Sequence, residues 1–535
     1  MTRAPIERIE LVEDLMPLGH LLLRSARRDP DREALVFPDT RLTYQQLAER
    51  AWSIASSLVA LGVQPGEHVG YLMTNHPDLV ATLFGISLAG ATVVPINARY
   101  RTNELGVIVE DADMVVLLTH DHADEHVDFT ALLADAFAGR TPPKLRHTVM
   151  LGTREPEWML SRRAFDALAD DATLRTRVEG QRVRDPALIL YTSGTTAAPR
   201  GAILTHEAFV RIWMSSGRIF ATTPEDRHWN ALPLFHVAGL GCLTWVVGHG
   251  ATFISDYSWD PGRALRSLQD ERATQFFPAY QPIMESLLAH PDFESTDLSS
   301  VRVILNTCPP EVLEKFQQRI PHATQLTMYG GTEGGPVTVT RLDDELEDRM
   351  RTSGHPHPGI ELRVVGEDGR VLGPGEPGII QFRGYNTLER YHKSPEKTAE
   401  SMPGDGWVTM SDLGVVDEKN QVLFLGRAKE TLKVGGENVA PQEVESHLCT
   451  HPAVKLAQVV GMPDEGLVEV PAAFVELLPG AEASAEELIE HCRGRIASFK
   501  VPRVIRFIDG DEWPMSATKI QRFALRDRLL EELAA

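Results

Sequence analysis

The apolar positions of this chain fall in short runs separated by longer amphipathic stretches. Segments 34–37 and 42–44 read as a hairpin around Pro38-Asp39. A helix follows, with Leu47, Ala48, Ala51, Ile54, Ala55 and Leu58 recurring at helical spacing. Segments 69–73, 91–96, 114–119, 148–151 and 187–191 read as strands, and 79–88 as a helix. The stretch 154–184 is polar and charged and is expected on the surface. The alternation then resumes, with strands 251–254, 273–277, 301–305 and 325–329. Helices 261–270 and 282–290, and one opened by Pro309-Pro310 and running through Phe316, lie between them. Strands separated by helical patterns predict parallel sheets with helices packed on them.

Around Gly354 the texture changes. Gly and Pro become dense, and 360–365 alternates in the antiparallel manner, as do 378–382 and 422–425. A second boundary falls at Gly426-Arg427-Ala428-Lys429. Beyond it come a helix at 442–448 behind Pro441 and strands 453–462, 472–477 and 504–508. Ser484 and Glu487 form a capping-box pattern for a further helix, with Leu488, Ile489, Cys492 and Ile496 inward. The fold class expected is α/β. A large N-terminal domain, residues 1–428, would carry parallel and mixed sheets, packed helices and a β-rich subdomain. A small, mobile α+β domain would span 429–535.

Composition narrows the partners. Asp and Glu outnumber Lys and Arg by 75 to 53, a net charge of -22. That argues against nucleic acid or an anionic membrane as the main partner. Any anionic ligand must be held by local cations or backbone dipoles. Cys242, Cys308, Cys449 and Cys492 form no CxxC pair, which argues against a disulfide framework or zinc site and fits a reducing cytoplasm. Residues 1–10 lack a basic flank before an apolar core, so no signal peptide is expected. The most apolar segment, 81–96, is interrupted by Gly85, Ser87, Gly90, Thr92 and Pro95 and is too short to span a bilayer.

Three loops carry candidate chemistry. The first is Tyr191-Thr192-Ser193-Gly194-Thr195-Thr196-Ala197-Ala198-Pro199-Arg200-Gly201, after an apolar run. Hydroxyls, bare backbone N–H groups and one cation suit a polyphosphate. It is not the P-loop of ordinary NTPases, because Gly201 is followed by Ala202 rather than Lys-Ser or Lys-Thr. Such a run is also what a solvated loop looks like. The second is Tyr329-Gly330-Gly331-Thr332-Glu333-Gly334-Gly335, at the carboxyl end of a strand, the edge where open α/β sheets bind ligands. A hydroxyl beside a carboxylate suits Mg²⁺ on phosphate. The third is Lys519, which taken alone is an ordinary solvated charge.

Together these residues resemble the adenylate-forming superfamily: acyl-CoA synthetases, luciferases and peptide-synthetase adenylation domains. The resemblance spans 42–526. It includes Leu88-Ala89-Gly90-Ala91, Pro233-Leu234-Phe235-His236, Gly406-Trp407, Asp412, Gly426-Arg427, Lys433-Val434-Gly435-Gly436-Glu437-Asn438 and Lys500-Val501-Pro502. It implies that a carboxylic acid attacks the α-phosphate of ATP-Mg²⁺, giving acyl-AMP and pyrophosphate, and that coenzyme A then displaces AMP. By the same resemblance Thr192, Ser193, Gly194, Thr195, Thr196 and Arg200 hold the β- and γ-phosphates. Glu333 binds Mg²⁺ with Thr196, Thr332 touches the α-phosphate, and Tyr329 lines the nucleotide site. Asp412 takes the ribose hydroxyls with help from Arg427. Lys519 bridges the acyl carboxylate and the α-phosphate. Lys429 is the hinge that withdraws Lys519 and brings Lys433, Gly435 and Gly436 to the thioester step.

His236 resembles the aromatic gate between the acyl pocket and the CoA tunnel; its bland alternative is a packed histidine. No aspartate accompanies it, which argues against an amino-acid substrate. Gly330, Gly331, Gly334 and Gly335 either leave room for a medium-chain, aryl or alicyclic acyl group or only serve the turn. The chain departs from the family pattern at Ala197, Arg200, Met410-Ser411, Thr518 and the segment 306–310. The reading is an ATP-dependent acid:CoA ligase, cytoplasmic, acting on small molecules; a homodimer is among the assemblies left open. The alternatives are an acyl-AMP ligase loading a carrier-protein thiol and a non-catalytic adenylate-binding paralogue.

Overall fold

The computed structural model describes residues 15–123, 127–138, 141–192, 200–279, 281–308, 310–434, 437–464, 467–493, 495–516 and 519–534. Among these, strands build two seven-stranded sheets. The first runs in space Thr324–Leu326, Val303–Asn306, Gln275–Ala279, Arg227–Asn230, Thr252–Ser255, Glu33–Phe37, Thr40–Thr43. It is parallel except for its last pair, the hairpin expected around Pro38-Asp39. The second runs Arg390–Tyr391, Arg200–Thr205, Pro186–Thr192, Thr92–Pro95, His68–Leu72, Met114–Thr119, His147–Met150. Its last five strands are parallel and its first three antiparallel.

Local rules explain many of the elements. Thr43 caps helix Tyr44–Ala60, accepting from Gln46 N while Gln46 Oε1 accepts from Thr43 N at 2.9 Å. Pro77 opens a helix to Leu88 that is buried on every face. A helix apolar all round belongs inside a domain. Gly85 permits that packing: a Cβ there would sit 2.9 Å from Ala51 O and Ile54 Cβ. Helix Val237–His249, equally apolar, packs on His206–Ile219, with Trp213 and Trp245 stacked at 5.7 Å.

The structure adds elements that the sequence pattern leaves unread and divides one that it reads as single. Strand Arg200–Thr205 lies antiparallel to Pro186–Thr192. Strand Arg227–Asn230 and helix Val237–His249 carry no clear period and were not anticipated. Segment 325–329 is two strands, not one. Thr324–Leu326 ends the first sheet, and Met328–Gly331 begins a three-stranded sheet with Gly335–Val339 and His355–Pro356. Thr340 makes the switch at Thr327, where its Oγ1 accepts from Thr327 N at 2.9 Å.

The Gly/Pro-rich region is a four-stranded antiparallel sheet, Ile360–Val365, Gly378–Gly384, Val408–Val416, Val422–Arg427. Past Arg427 a separate sheet forms around the long pair Val454–Asp464 and Val468–Leu477, with its own core of Val444, Leu448, Val459, Val475 and Leu488. Ser484 caps helix Ala485–Cys492 by accepting from Glu487 N at 3.1 Å, the serine half of the expected capping box. The chain ends in a short hairpin, Met515–Ser516 with Lys519–Ile520, and helix Arg522–Ala534. Helix Pro441–Leu448 packs on Pro310–Arg319, and Gln281 Nε2 donates to Lys455 O at 3.1 Å, joining the small unit to the large one. No helix among the described residues is long and apolar enough to cross a membrane.

Candidate active site

Three of the predicted residues meet in space with their side chains described. Strands Val408–Val416 and Val422–Arg427 pair so that Asp412 lies opposite Arg427. Arg427 Nε is 3.7 Å from Asp412 Oδ1, with the carboxylate buried and the guanidinium half exposed. Tyr329 Oη donates to Asp412 Oδ2 at 2.9 Å. Burial and the neighbouring Asp412 push the Tyr329 phenol well above its usual range, so it stays a donor. Phe424 stacks on Tyr329 at 5.6 Å between ring centres. Glu333 stands at the tip of the hairpin whose first strand carries Tyr329. The Asp412 and Glu333 carboxylates are thereby tied to one structural unit.

Sequence reasoning missed the residue that holds Glu333. Tyr391 Oη donates to Glu333 Oε1 at 2.6 Å, and Leu388 N donates to Glu333 O at 2.8 Å. Tyr391 also pairs with Ala202 in the strand that leaves the Ser/Thr/Gly run. It therefore links the strand pair Pro186–Thr192 and Arg200–Thr205 to the hairpin that carries Glu333. Burial and Glu333 drive the Tyr391 hydroxyl far above its ordinary range, keeping it protonated. No spacing rule singles it out, because the contact exists only after Arg390–Tyr391 joins the sheet edge.

Thr332 sits half-buried beside Glu333. A Cβ on Gly331 would lie 2.7 Å from Met410 Sδ and 3.2 Å from Glu333 Oε2. At Gly330 it would overlap the Gly335 carbonyl, and at Gly334 it would lie 2.5 Å from the Phe382 ring. Gly335 has φ +63°. At Gly330 the missing side chain is thus required by the close packing of the turn itself, and at Gly334 by the Phe382 ring packed against it.

His236 caps helix Val237–His249 from an extended conformation, its ring 4.7 Å from Phe235. Tyr71 Oη donates to Leu234 O at 2.6 Å, and Asn75 holds Leu232 O and Leu234 N at 3.0 and 2.8 Å. These two residues, also missed from sequence, fix the segment that presents His236.

Ser193, Gly194, Thr195, Thr196, Gly435 and Gly436 lie outside the described residues. Thr192, Lys429, Lys433 and Lys519 are described by backbone alone: Thr192 ends its strand opposite Arg200, and Lys519 opens the last short strand. Among the departures, Ser411 has φ +60°, a left-handed residue directly before Asp412. Asn306 is fully buried and donates to Gln325 Oε1 at 2.9 Å.

The AMP-binding enzyme family matches residues 22–392, and its C-terminal domain matches 443–519. Among curated relatives, the putative acyl-CoA synthetase YngI of Bacillus subtilis is 32% identical over 96% of this chain and 97% of its own. A feruloyl-CoA synthase of Amycolatopsis is 34% identical over 92% and 95%. Among solved structures, the anthranilate CoA ligase AuaEII in complex with anthranoyl-AMP superposes with a TM-score of 0.83 at 27% identity, covering 96% of this chain and 97% of that one. ATP-bound MatB from Rhodopseudomonas palustris gives 0.83 at 27% identity, over 96% and 99%. The chain belongs to the AMP-binding enzyme family, the adenylate-forming group that its loops resemble.

Proposed function

We propose that this protein is an AMP-forming acid:CoA ligase acting on a medium-chain, aryl or alicyclic carboxylic acid. The observation that carries the reading is the joint unit of Tyr329, Asp412, Arg427, Glu333 and Tyr391. Asp412 offers a buried carboxylate, able to accept from both ribose hydroxyls, and Arg427 balances its charge. Tyr329 and Phe424 offer aromatic faces beside it for a base. Glu333 and Thr332 supply hard oxygens, which suit Mg²⁺; when bound, that ion neutralises charge on the phosphates. Tyr391 keeps the Glu333 carboxylate aimed from one side and leaves its second oxygen for the ion.

Two anions, the acid and the α-phosphate, must meet for adenylation. A cation placed between them stabilises the charge that develops, and we assign that part to Lys519. Residues 192–200 would grip the outer phosphates. The boundary at 428/429, with Lys429 as hinge, would let residues 429–535 turn. Lys519 would leave, and Lys433, Gly435 and Gly436 would line the approach of the CoA thiol. His236 would stand between the acyl pocket and that approach. The choice of a bulky acid is supported by relatives named for feruloyl and indoleacetate substrates and for a medium-chain acyl ligase.

The test is carboxylate-dependent exchange of labelled pyrophosphate into ATP over a panel of acids, with Lys519→Ala as control. Exchange that the variant abolishes, followed by acyl-CoA formation once CoA is added, is expected. ATP binding without exchange for any acid would sink the catalytic reading. Fast turnover of acetate alone would sink the bulky-acid reading.

A further inference from the structure

A second cluster of chemically capable side chains lies outside this site. Strands His68–Leu72 and Met114–Thr119 are parallel neighbours with Leu72 opposite Thr119. Their carboxyl ends therefore release the chain at the same edge. His76 leaves the first as the N-cap of helix Pro77–Leu88, Asp78 lies in that helix's first turn, and His120 follows the second. The ring of His122 is 4.9 Å from that of His76, and Tyr257, arriving from the other seven-stranded sheet, stacks on His76 at 5.5 Å and lies 4.0 Å from His122. The cluster sits on the seam between the two sheets.

We propose that His76, Asp78 and His120 form a binding site for one divalent transition-metal ion of the zinc type. The donor atoms are already spaced for it. His120 Nε2 is 3.4 Å from Asp78 Oδ2, and His76 Nδ1 is 3.8 Å from the same carboxylate oxygen. Bonds of about 2.0–2.1 Å to a tetrahedral ion put neighbouring donors about 3.4 Å apart. All three donors fall within 4.8 Å of one another. Their side chains are 15%, 11% and 13% exposed, which admits an ion yet excludes most water.

The surroundings fit a ligand role. Asp121 Oδ2 is fixed by Thr153 N, Thr153 Oγ1 and Arg154 N at 2.8, 2.9 and 2.7 Å. Its Oδ1 is left 3.4 Å from His120 Nδ1. A carboxylate on the far nitrogen of a ligating imidazole is the usual outer partner of such sites. His120 Nδ1 now accepts from His122 N at 2.9 Å, and His76 Nδ1 accepts from Asp78 N at 3.1 Å. Binding would exchange both bonds for metal bonds and move the His120 ring proton from Nε2 to Nδ1, toward Asp121. Arg162 Nη1, 3.2 Å from Asp78 Oδ2, competes with the ion, and Arg50 stands 3.8 Å from Oδ1. Arg162 also holds Asp166 at 2.6 Å, so it retains an ion pair when Asp78 turns.

A different histidine cluster, in the C-terminal unit, supplies the control. His447 and His451 lie 4.9 and 5.1 Å from His491, but Thr450 and Arg495 already engage both nitrogens of His491 at 2.8 and 2.7 Å.

The experiment is titration of the full chain with CoCl2, read by the visible ligand-field bands of low-coordinate Co²⁺ and by metal content after gel filtration. One Co²⁺ per chain is expected, displaceable by Zn²⁺. Affinity should fall at least about tenfold in His120→Gln and in His76→Gln and stay unchanged in His491→Gln. Crystals of the unaltered protein soaked in CoCl2 should give an anomalous peak among His76, Asp78 and His120, a result that needs no variant to fold. Absence of stoichiometric binding, a peak only elsewhere, or undiminished binding in a folded His120→Gln would overturn the proposal.

Discussion

Replacing Arg522 by Met tests how the segment that carries Lys519 is anchored. Arg522 opens the last helix, just past Lys519–Ile520. Its Nη2 donates to Glu445 Oε2 and Oε1 at 2.7 and 2.9 Å, and its Nη1 reaches Glu430, beside the proposed hinge. Glu445 Oε1 also accepts from Val459 N at 2.7 Å. The arginine is 19% exposed and Glu445 only 7%. Burial opposes the arginine's charge, but Glu445 and Glu430 hold its guanidinium above the usual range. Methionine keeps the stem and removes the charge, leaving Glu445 buried without its cation. Removing one partner of a buried pair costs about 3–5 kcal/mol, and the partial exposure here argues for the lower end, about 3 kcal/mol. That corresponds to about a 150-fold rise in the opening of the unit. Hydrogen exchange of the full chain, followed by mass spectrometry, should show it in strand Val454–Asp464 and helix Pro441–Leu448, with the two seven-stranded sheets unchanged. The deficit should shrink as pH is lowered from 7 to 5, because a protonated Glu445 tolerates burial. Adding Glu445→Gln should recover part of the loss. A change below about 1 kcal/mol, or one spread evenly over the chain, would refute the reasoning.

Three further outcomes are expected. Tyr391→Phe removes a 2.6 Å donor from Glu333 and should slow pyrophosphate exchange by about tenfold to a hundredfold while raising the Mg²⁺ needed for half-maximal rate; an unaltered Mg²⁺ dependence would contradict its positioning role. Burial holds His206 and His357 down to about 3 and His228 to about 4, against an ordinary 6.5. The unfolded chain takes up those protons below 6.5 and the folded chain does not, so stability should fall from pH 6.5 toward 4 by about 1.4 kcal/mol per unit for each histidine. Urea midpoints measured across that window should show it, and His357→Gln should make the slope shallower by one proton. Ser411→Gly relieves a left-handed serine at φ +60°. Its thermal unfolding should lie between no change and about 1 kcal/mol more stable, since glycine's extra unfolded-state entropy offsets part of the relief; a loss of stability would contradict the strain.

Much of the local structure was legible along the chain. Helix Pro261–Asp270 and strand Ile360–Val365 fall where the pattern put them, because proline, capping side chains and alternation act within a few residues. The loops at 329–335 and around Asp412 and Arg427 could be picked out as candidates from residue type and order alone, and three of those side chains do meet. What the pattern concealed was sheet membership. Strand Arg200–Thr205 looks the same whether it returns antiparallel or leads into a helix, and segment 325–329 carries no mark of the switch at Thr327.

The sequence by itself determined most of the local elements, the change of texture between a large and a small unit, and the residue types available for nucleotide chemistry. The tertiary structure alone decided which of them touch. Tyr329 reaches Asp412 across 83 residues, Tyr391 reaches Glu333 across 58, and Arg522 reaches Glu445 across 77. The histidines at 76 and 120 share an edge only because their strands are neighbours. Periodicity and capping are set by side chains one or two turns apart. Long-range pairs depend on sheet order and register, which many distant contacts fix jointly and no short stretch encodes.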